Sequence, residues 1–244
     1  MLVTTTGVVI RERATAENYK YVDVLTADYG VIEIVIRGKK YLSAMQLFAF
    51  SKICYDKRKT SNFLNSAEPL KIFYTLRMDV DKLSLASYFS EVVSYAIPPD
   101  QDSGEILRLY LNTIYFLSEG TRDIRMLKSI FELRFMSEIG MMPNVGSCSC
   151  CNNTAERLYF VLEDATICCD KCFVADDSKT FISLTSAALK AVRHIISSDF
   201  ERLYNFNIKE LCQNKLSYIS ESYLLTHLGR NFKTLDFYKV MADN

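Results

Sequence analysis

The stretch Tyr19–Arg37, YKYVDVLTADYGVIEIVIR, decides how the front of the chain is read. Its second half, Val31 to Arg37, is rich in β-branched residues and sets Ile32, Ile34 and Ile36 on one face at a period of two. Tyr19 to Thr26 is a similar run, and A-D-Y-G joins the two as a four-residue hairpin loop ending in Gly30. Working outward, Val3 to Arg13 predicts a preceding strand, and Leu47 to Tyr55 and Leu70 to Leu76 predict two following ones. Five short strands in under eighty residues predict a small closed or half-closed barrel, with an open five-stranded sheet as the alternative.

After Asp79 the period becomes helical. Leu85, Phe89, Val92, Val93 and Ala96 share a stripe that Pro98-Pro99 stops. Glu105 to Ser118 is apolar nearly all round and predicts a central helix, with Asp102 and Glu105 as a capping box at its start. Asp123 to Ile139 predicts a third helix, closed by Gly140 and Pro143. Periodicity is then lost from Asn144 to about Thr180. It resumes at Leu189, Val192 and Ile196, again from Ile208 to about Leu228, and in a short last helix from Phe232 to Met241.

The gap in periodicity holds a cysteine cluster. Cys148 and Cys151 form one C-x2-C, Cys169 and Cys172 another, and seventeen residues separate the pairs. This is the spacing of a four-cysteine zinc site, because two thiolates three residues apart on a tight turn can both reach one ion at ~2.3 Å. Sulfur fills all four positions, no position is left for water, and one structural Zn2+ is expected. Cys150 and Cys168 adjoin these ligands; replacing Cys169 by Cys168 would give an x3 spacing. Between the pairs, Leu158 to Leu162 predicts a strand pairing with a second one near Ala165 to Cys168. His194 falls on the polar face of its helix and His227 near a helix end, and neither completes the H-x-E pattern of a zinc deaminase. Cys54 and Cys212 read as small apolar residues, Cys212 on a stripe with Leu216 and Ile219.

Nothing else carries chemistry. The sequence has no phosphate-binding G-x-x-x-x-G-K-[ST], no nucleophile elbow and no G-x-G-x-x-G. Asp176-Asp177 reads as solvated loop surface, so no enzyme is expected. No apolar run approaches the length of a bilayer span and the N-terminus lacks a secretory pattern, so a cytoplasmic protein with reduced thiols and no membrane partner is expected.

The net charge is zero, yet its distribution is uneven. Residues 1–80 hold twelve Lys/Arg and eight Asp/Glu, a net of +4, and the remainder carries −4. Arg11 and Arg13 share a face of the first strand, Arg37, Lys39 and Lys40 follow another strand, and Lys57, Arg58 and Lys59 follow a third. Tyr19, Tyr21, Tyr29, Tyr41, Phe48 and Tyr55 are interleaved with them. A basic barrel rim with aromatics can track a nucleic-acid backbone and stack bases. The same cations also serve as ordinary blunting of strand ends.

Taken in order, these segments resemble the bacterial recombination mediator family RecO. G7-V-V-I-R-E-R resembles its first strand, and L25-T-A-D-Y-G30 with V31-I-E-I-V-I-R-G-K-K40 is similar to its Thr-x-x-x-Gly hairpin and basic turn. F131-E-L-R-F-M-S-E-I-G-M-M-P143 resembles the helix before the zinc loop, and L228-G-R-N-F-K-T-L-D-F237 is similar to the family's C-terminal segment. The resemblance implies an α+β architecture of three parts. These are an OB-fold at 1–79, a helical domain at 80–144 and 180–244, and a four-cysteine zinc loop at 145–179. It implies binding of single- and double-stranded DNA, strand annealing, and partnership with RecR in loading RecA onto DNA coated by single-strand-binding protein. It further implies a nucleoid-associated place in the cytoplasm and docking of that protein's acidic C-terminal tail on the helical domain. Arg125 and Lys128, read on the polar face of the third helix, are the candidates to meet the tail. Two departures stand out: Y41-L-S-A-M replaces the arginines usual after the basic turn, and Asn152 stands where many members have Gly.

Overall fold

Apolar alternation builds the inward faces of the second and third among the first five strands of this computed structural model, which describes residues 1–14, 19–38, 43–154 and 157–242. The five are β1 (Leu2–Ala14), β2 (Tyr19–Thr26), β3 (Val31–Arg37), β4 (Ala49–Lys57) and β5 (Asn62–Ile72). They pair in the ring β1-β2-β3-β5-β4, and β4 returns to β1. Every pairing is antiparallel except β3 with β5, which is parallel and spans only Ile34/Asn62 and Val35/Phe63. The barrel is therefore joined by one thin seam, as in the partly open OB-fold. Ile32, Ile34 and Ile36 point inward together with Val22, Val24, Ile53 and Tyr55, as the alternation predicts.

The fifth strand lies earlier than predicted, and Tyr74–Met78 is a 3₁₀ turn. The reason is exposure: β5 is largely solvated, so its N-S-A-E letters hide a strand whose order comes from its ladder with β4. Pro69, which has no N–H to donate, sits opposite Ser51 beside a register shift.

Chain contacts divide the molecule into two units, Met1–Thr121 with Phe232–Asn244, and Arg122–Asn231. In the first, the barrel is joined by α1 (Val80–Ala96), α2 (Gly104–Glu119) and α7 (Lys233–Ala242). Asp79 caps α1, its carboxylate accepting the N–H groups of Asp81 and Lys82. The β2–β3 hairpin ties the barrel to α2. Within it the Thr26 N–H and hydroxyl both donate to the Gly30 carbonyl at 2.9 Å, and the Tyr29 N–H donates to the Thr26 hydroxyl. Its outer carbonyls accept from Asp100 N–H (to Tyr29, 2.9 Å), Ser103 N–H (to Ala27, 2.8 Å) and the Ser103 hydroxyl (to Thr26, 2.7 Å). This docking overrides the expected capping box. Asp102 accepts from Gly104 instead, and the residue before α2 is Ser103 with its hydroxyl committed to the hairpin. Gly30 has φ +63°, and a Cβ there would lie 2.0 Å from the Pro98 carbonyl oxygen. The chain's end closes this unit: Phe232 is buried edge-on against Tyr88, and Thr234 donates twice to the Glu91 carboxylate.

The second unit contains α3 (Ile124–Glu138), then β6 (Asn144–Cys148), β7 (Leu158–Val161), β8 (Thr166–Cys169) and β9 (Phe181–Leu184), then α4 (Ser186–Ser197), α5 (Phe200–Leu203) and α6 (Glu210–Leu228). The sheet order is β6-β8-β7-β9, and β7 with β8 is the antiparallel pair predicted between the cysteine pairs. β6 and β9 have too few residues to show a period.

The helix enclosed on nearly all sides is α3, packed on α4 and α6, whereas α2 leaves Glu105, Arg108 and Tyr115 exposed. The polar letters of α3 conceal this. Lys128 does not lie on a solvated face: it is 1% exposed, and its ammonium meets Glu132 at 2.8 Å and Glu221 at 2.9 Å. Ser220 donates to the same Glu132 at 2.6 Å. Burial opposes the charge on Lys128, but the two carboxylates outweigh it and raise its pKa.

Two stability predictions follow from these contacts. Gly30→Ala is expected to lower unfolding free energy by more than about 1 kcal/mol, read from the urea midpoint, because an L residue is forced into both the left-handed region and a backbone clash. Lys128→Ala is expected to cost about 3–5 kcal/mol by leaving buried carboxylate uncompensated, while Lys59→Ala stays within about 0.5 kcal/mol.

Candidate metal centre and basic surface

Each C-x2-C pair sits on a tight turn at the end of a strand. The Asn152 N–H donates to the Cys148 carbonyl at 2.9 Å, and the Cys172 N–H to the Cys169 carbonyl at 3.1 Å. Asn152 adopts φ +60°, the left-handed region where glycine is favoured and Asn is the side chain best tolerated. The departure from Gly at this position therefore preserves the turn. Arg193 of α4 braces the first turn, donating to the carbonyls of Val145 (2.8 Å) and Gly146 (2.7 Å).

The sulfurs of Cys148, Cys151, Cys169 and Cys172 all lie within 4.8 Å of one another, with Cys151 and Cys169 3.7 Å apart. Four sulfurs bound tetrahedrally to zinc at ~2.3 Å would be about 3.8 Å apart, so the cluster is compatible with a zinc site. The Cys169 N–H donates to the Cys148 sulfur at 3.4 Å. Hydrogen bonding from the Cys151 backbone, foremost, brings the Cys148 thiol down to about 6. Hydrogen bonding with Cys151 raises Cys172 instead. Cys148 is thus the easier to ionise and Cys172 the harder, a conflict that a bound cation removes by stabilising the thiolates.

Cys150 and Cys168 lie outside this set. With Cys148 they form a second group whose sulfurs also fall within 4.8 Å of one another. Burial pushes the Cys168 thiol up to about 12. Neither histidine belongs to a cysteine group among the described residues: His227 Nε2 lies 2.9 Å from the Leu162 carbonyl oxygen, and His194 contacts Ser198 and the Arg202 carbonyl. His194 is half-buried rather than freely solvated. Cys54 and Cys212 are half-buried, apart from both groups.

The basic residues of the barrel divide by partner. Arg11 and Arg13 share a face, as their spacing predicts, but both converge on the buried carboxylate of Asp23, at 2.6 Å and 2.7 Å. Arg13 also pairs with Glu33 at 2.6 Å. Their charge is largely answered within the sheet. Three other cations lie over aromatic rings: Arg37 over Tyr19 (5.9 Å), Lys57 over Tyr29 (5.7 Å) and Arg58 over Phe63 (4.6 Å). Lys57 also pairs with Asp100 and Arg58 with Asp56. Lys59 is exposed, and Lys39 and Lys40 lie outside the described residues. Sequence reading missed Lys71, whose ammonium lies over Phe73 (5.9 Å) and the half-exposed Tyr115 (5.6 Å). No local pattern signals this pair, because Tyr115 comes from α2. On α3, Arg125 reaches Asn214 at 3.1 Å and Glu210 at 3.6 Å and remains half-exposed. No helix among the described residues is long and apolar enough to cross a membrane.

Comparison with known proteins assigns both parts of the chain to one family. Residues 1–73 match the family "Recombination protein O N terminal" and residues 77–236 match "Recombination protein O C terminal". The chain belongs to this family of DNA repair and recombination proteins. It is similar to the DNA repair protein RecO of Acetivibrio thermocellus, 29% identical and covering 97% of this chain and 96% of that one. The corresponding proteins of Alkaliphilus metalliredigens (98% and 99% covered) and Bacillus pumilus (99% and 95%) are each 26% identical.

Cys169→Ser is expected to abolish stoichiometric metal, measured by elemental analysis. Chelator should lower the melting temperature of the unsubstituted chain by more than about 4 °C, the equivalent of ~1 kcal/mol, and leave that of the variant unchanged.

Proposed function

We propose that this chain is a non-enzymatic mediator of DNA repair and recombination. It binds single- and double-stranded DNA through its barrel and anneals complementary strands. With RecR it helps load RecA onto DNA coated by single-strand-binding protein, in the cytoplasm at the nucleoid. The observation that supports this most, beside family membership, is the set of cations lying over aromatic rings at the barrel's strand ends. Such pairs offer charge to phosphates and ring faces to bases at once. Arg37, Lys57, Arg58 and Lys59 are the residues assigned to this contact, with Lys39 and Lys40 continuing the basic turn.

Residues 1–79 are assigned to DNA, 80–144 with 180–244 to partners, and 145–179 to the metal loop. One Zn2+ held by Cys148, Cys151, Cys169 and Cys172 has a structural role, since four sulfurs leave it no open position. Arg125, half-exposed on α3, is the residue assigned to the acidic tail of single-strand-binding protein. Lys128 is not retained in that role, because two internal carboxylates hold it.

A second reading has an observation in its favour. Arg11 and Arg13 are answered by Asp23 and Glu33, which makes part of the barrel surface close to neutral. On this reading the chain is a zinc-containing scaffold that contacts only proteins.

Anisotropy of labelled single-stranded DNA across a salt series separates the two. The mediator reading expects log K to fall steeply with log salt, about 0.7 per phosphate contact. Arg37→Ala with Lys57→Ala and Arg58→Ala should weaken binding by tenfold or more and flatten the slope by about 2. Arg11→Ala with Arg13→Ala should change affinity little. Absence of salt-sensitive binding at low salt, with a stable protein complex, would favour the scaffold.

A further inference from the structure

The six cysteines between Cys148 and Cys172 exceed what one tetrahedral ion can use. Two of them, Cys150 and Cys168, remain after the four-sulfur set is assigned. They are not scattered: their sulfurs and that of Cys148 lie within 4.8 Å of one another, the same closeness as the four-sulfur set. The local chain makes this grouping. The Ser149 N–H donates to the Ile167 carbonyl at 2.8 Å, which fixes the Cys148–Cys151 turn alongside the end of β8. Adjacent strand residues project to opposite sides, so Cys168 and Cys169 are directed to different sulfur groups. Cys148, at the end of β6 beside β8, is the one sulfur within reach of both.

We propose a second metal site, formed by Cys150 and Cys168 with Cys148 as a bridging thiolate, that takes one soft monovalent ion of the Cu(I) type beside the ion of the four-sulfur cluster. The inference rests on the reading that zinc occupies that cluster. The chemistry of the donors selects the class of ion. All three are sulfurs, no carboxylate or imidazole joins the group among the described residues, and soft thiolates favour Cu(I) over hard cations. Three sulfurs at ~2.3 Å from a central ion would lie about 4 Å apart, within the spacing found. Zinc prefers a fourth ligand, which this group does not supply. Burial provides a route in. Cys150 is exposed, while Cys148 and Cys168 are buried at 1% and 5%. An ion delivered by a donor meets Cys150 first and then exchanges onto the buried pair. Binding releases the protons of Cys150 and Cys168 and needs no oxidant.

The test uses the full zinc-loaded chain, kept anaerobic and titrated with Cu(I) from a chromophoric Cu(I) chelator while zinc and copper are both counted. The expected result is one copper per chain with the zinc retained and a thiolate-to-copper charge-transfer band in the ultraviolet. Cys150→Ser, at an exposed position that leaves the fold intact, should weaken copper binding at least tenfold and leave the zinc count unchanged. Cys168→Ser should do the same. Displacement of zinc by copper, no copper uptake, or copper binding indifferent to Cys150→Ser would each overturn the second site while leaving the zinc reading intact. A freshly purified chain that binds no zinc at all would overturn both.

Discussion

The β2–β3 hairpin is the constraint on which the first unit depends. Its Thr26 hydroxyl and Gly30 carbonyl close the turn from inside, and its outer carbonyls receive the N–H and hydroxyl groups of residues 100–103. The barrel is thereby attached to the start of α2 by backbone hydrogen bonds, which no surface substitution can replace. Gly30 is required twice over, once for its positive φ and once because the Pro98 carbonyl occupies the space of a Cβ. The Thr-x-x-x-Gly pattern noted in the sequence thus has a mechanical meaning.

The second unit contains a buried ion group and a cluster of sulfurs. Lys128, Glu132 and Glu221 form a buried ion group whose removal in part leaves a charge stranded, even though the intact group adds little net stability. Through Lys128–Glu221 and Ser220–Glu132 it joins α3 to α6. The four short strands, of four or five residues each, bury apolar side chains such as Phe160, Ile167 and Ile182. The two cysteine turns add the sulfur cluster, in which hydrogen bonding lowers the Cys148 thiol and raises the Cys172 thiol.

The two surfaces of interest differ in how their charges are held. Arg11 and Arg13 share the buried carboxylate of Asp23, whereas Arg37, Lys57 and Arg58 lie across ring faces, Lys57 and Arg58 pairing besides with the solvent-facing Asp100 and Asp56. A pair with a solvent-facing carboxylate is screened and can be exchanged for a phosphate, while a pair with a buried carboxylate leaves a stranded charge if it opens. The proposed division of the basic surface rests on that difference.

The sequence by itself determined the features that depend on near neighbours. The strand alternation of Tyr19–Arg37, the helical stretches after Asp79 and from Asp123, and the two C-x2-C turns were all legible, because a period of two, a helical period and a chelating turn are local. So was the family, through the order of its motifs. Tertiary structure alone decided the rest. It placed β5 where polar letters hide a strand, because that strand is ordered by its ladder with β4 rather than by burial. It committed Ser103 to the hairpin in place of the capping box expected at Asp102, and it drew Lys128 inward, because Glu221, 93 residues away on α6, joins Glu132 in neutralising it. It also joined Cys148, Cys150 and Cys168 into one group, since a sulfur's neighbours across strands are set by register and not by spacing along the chain.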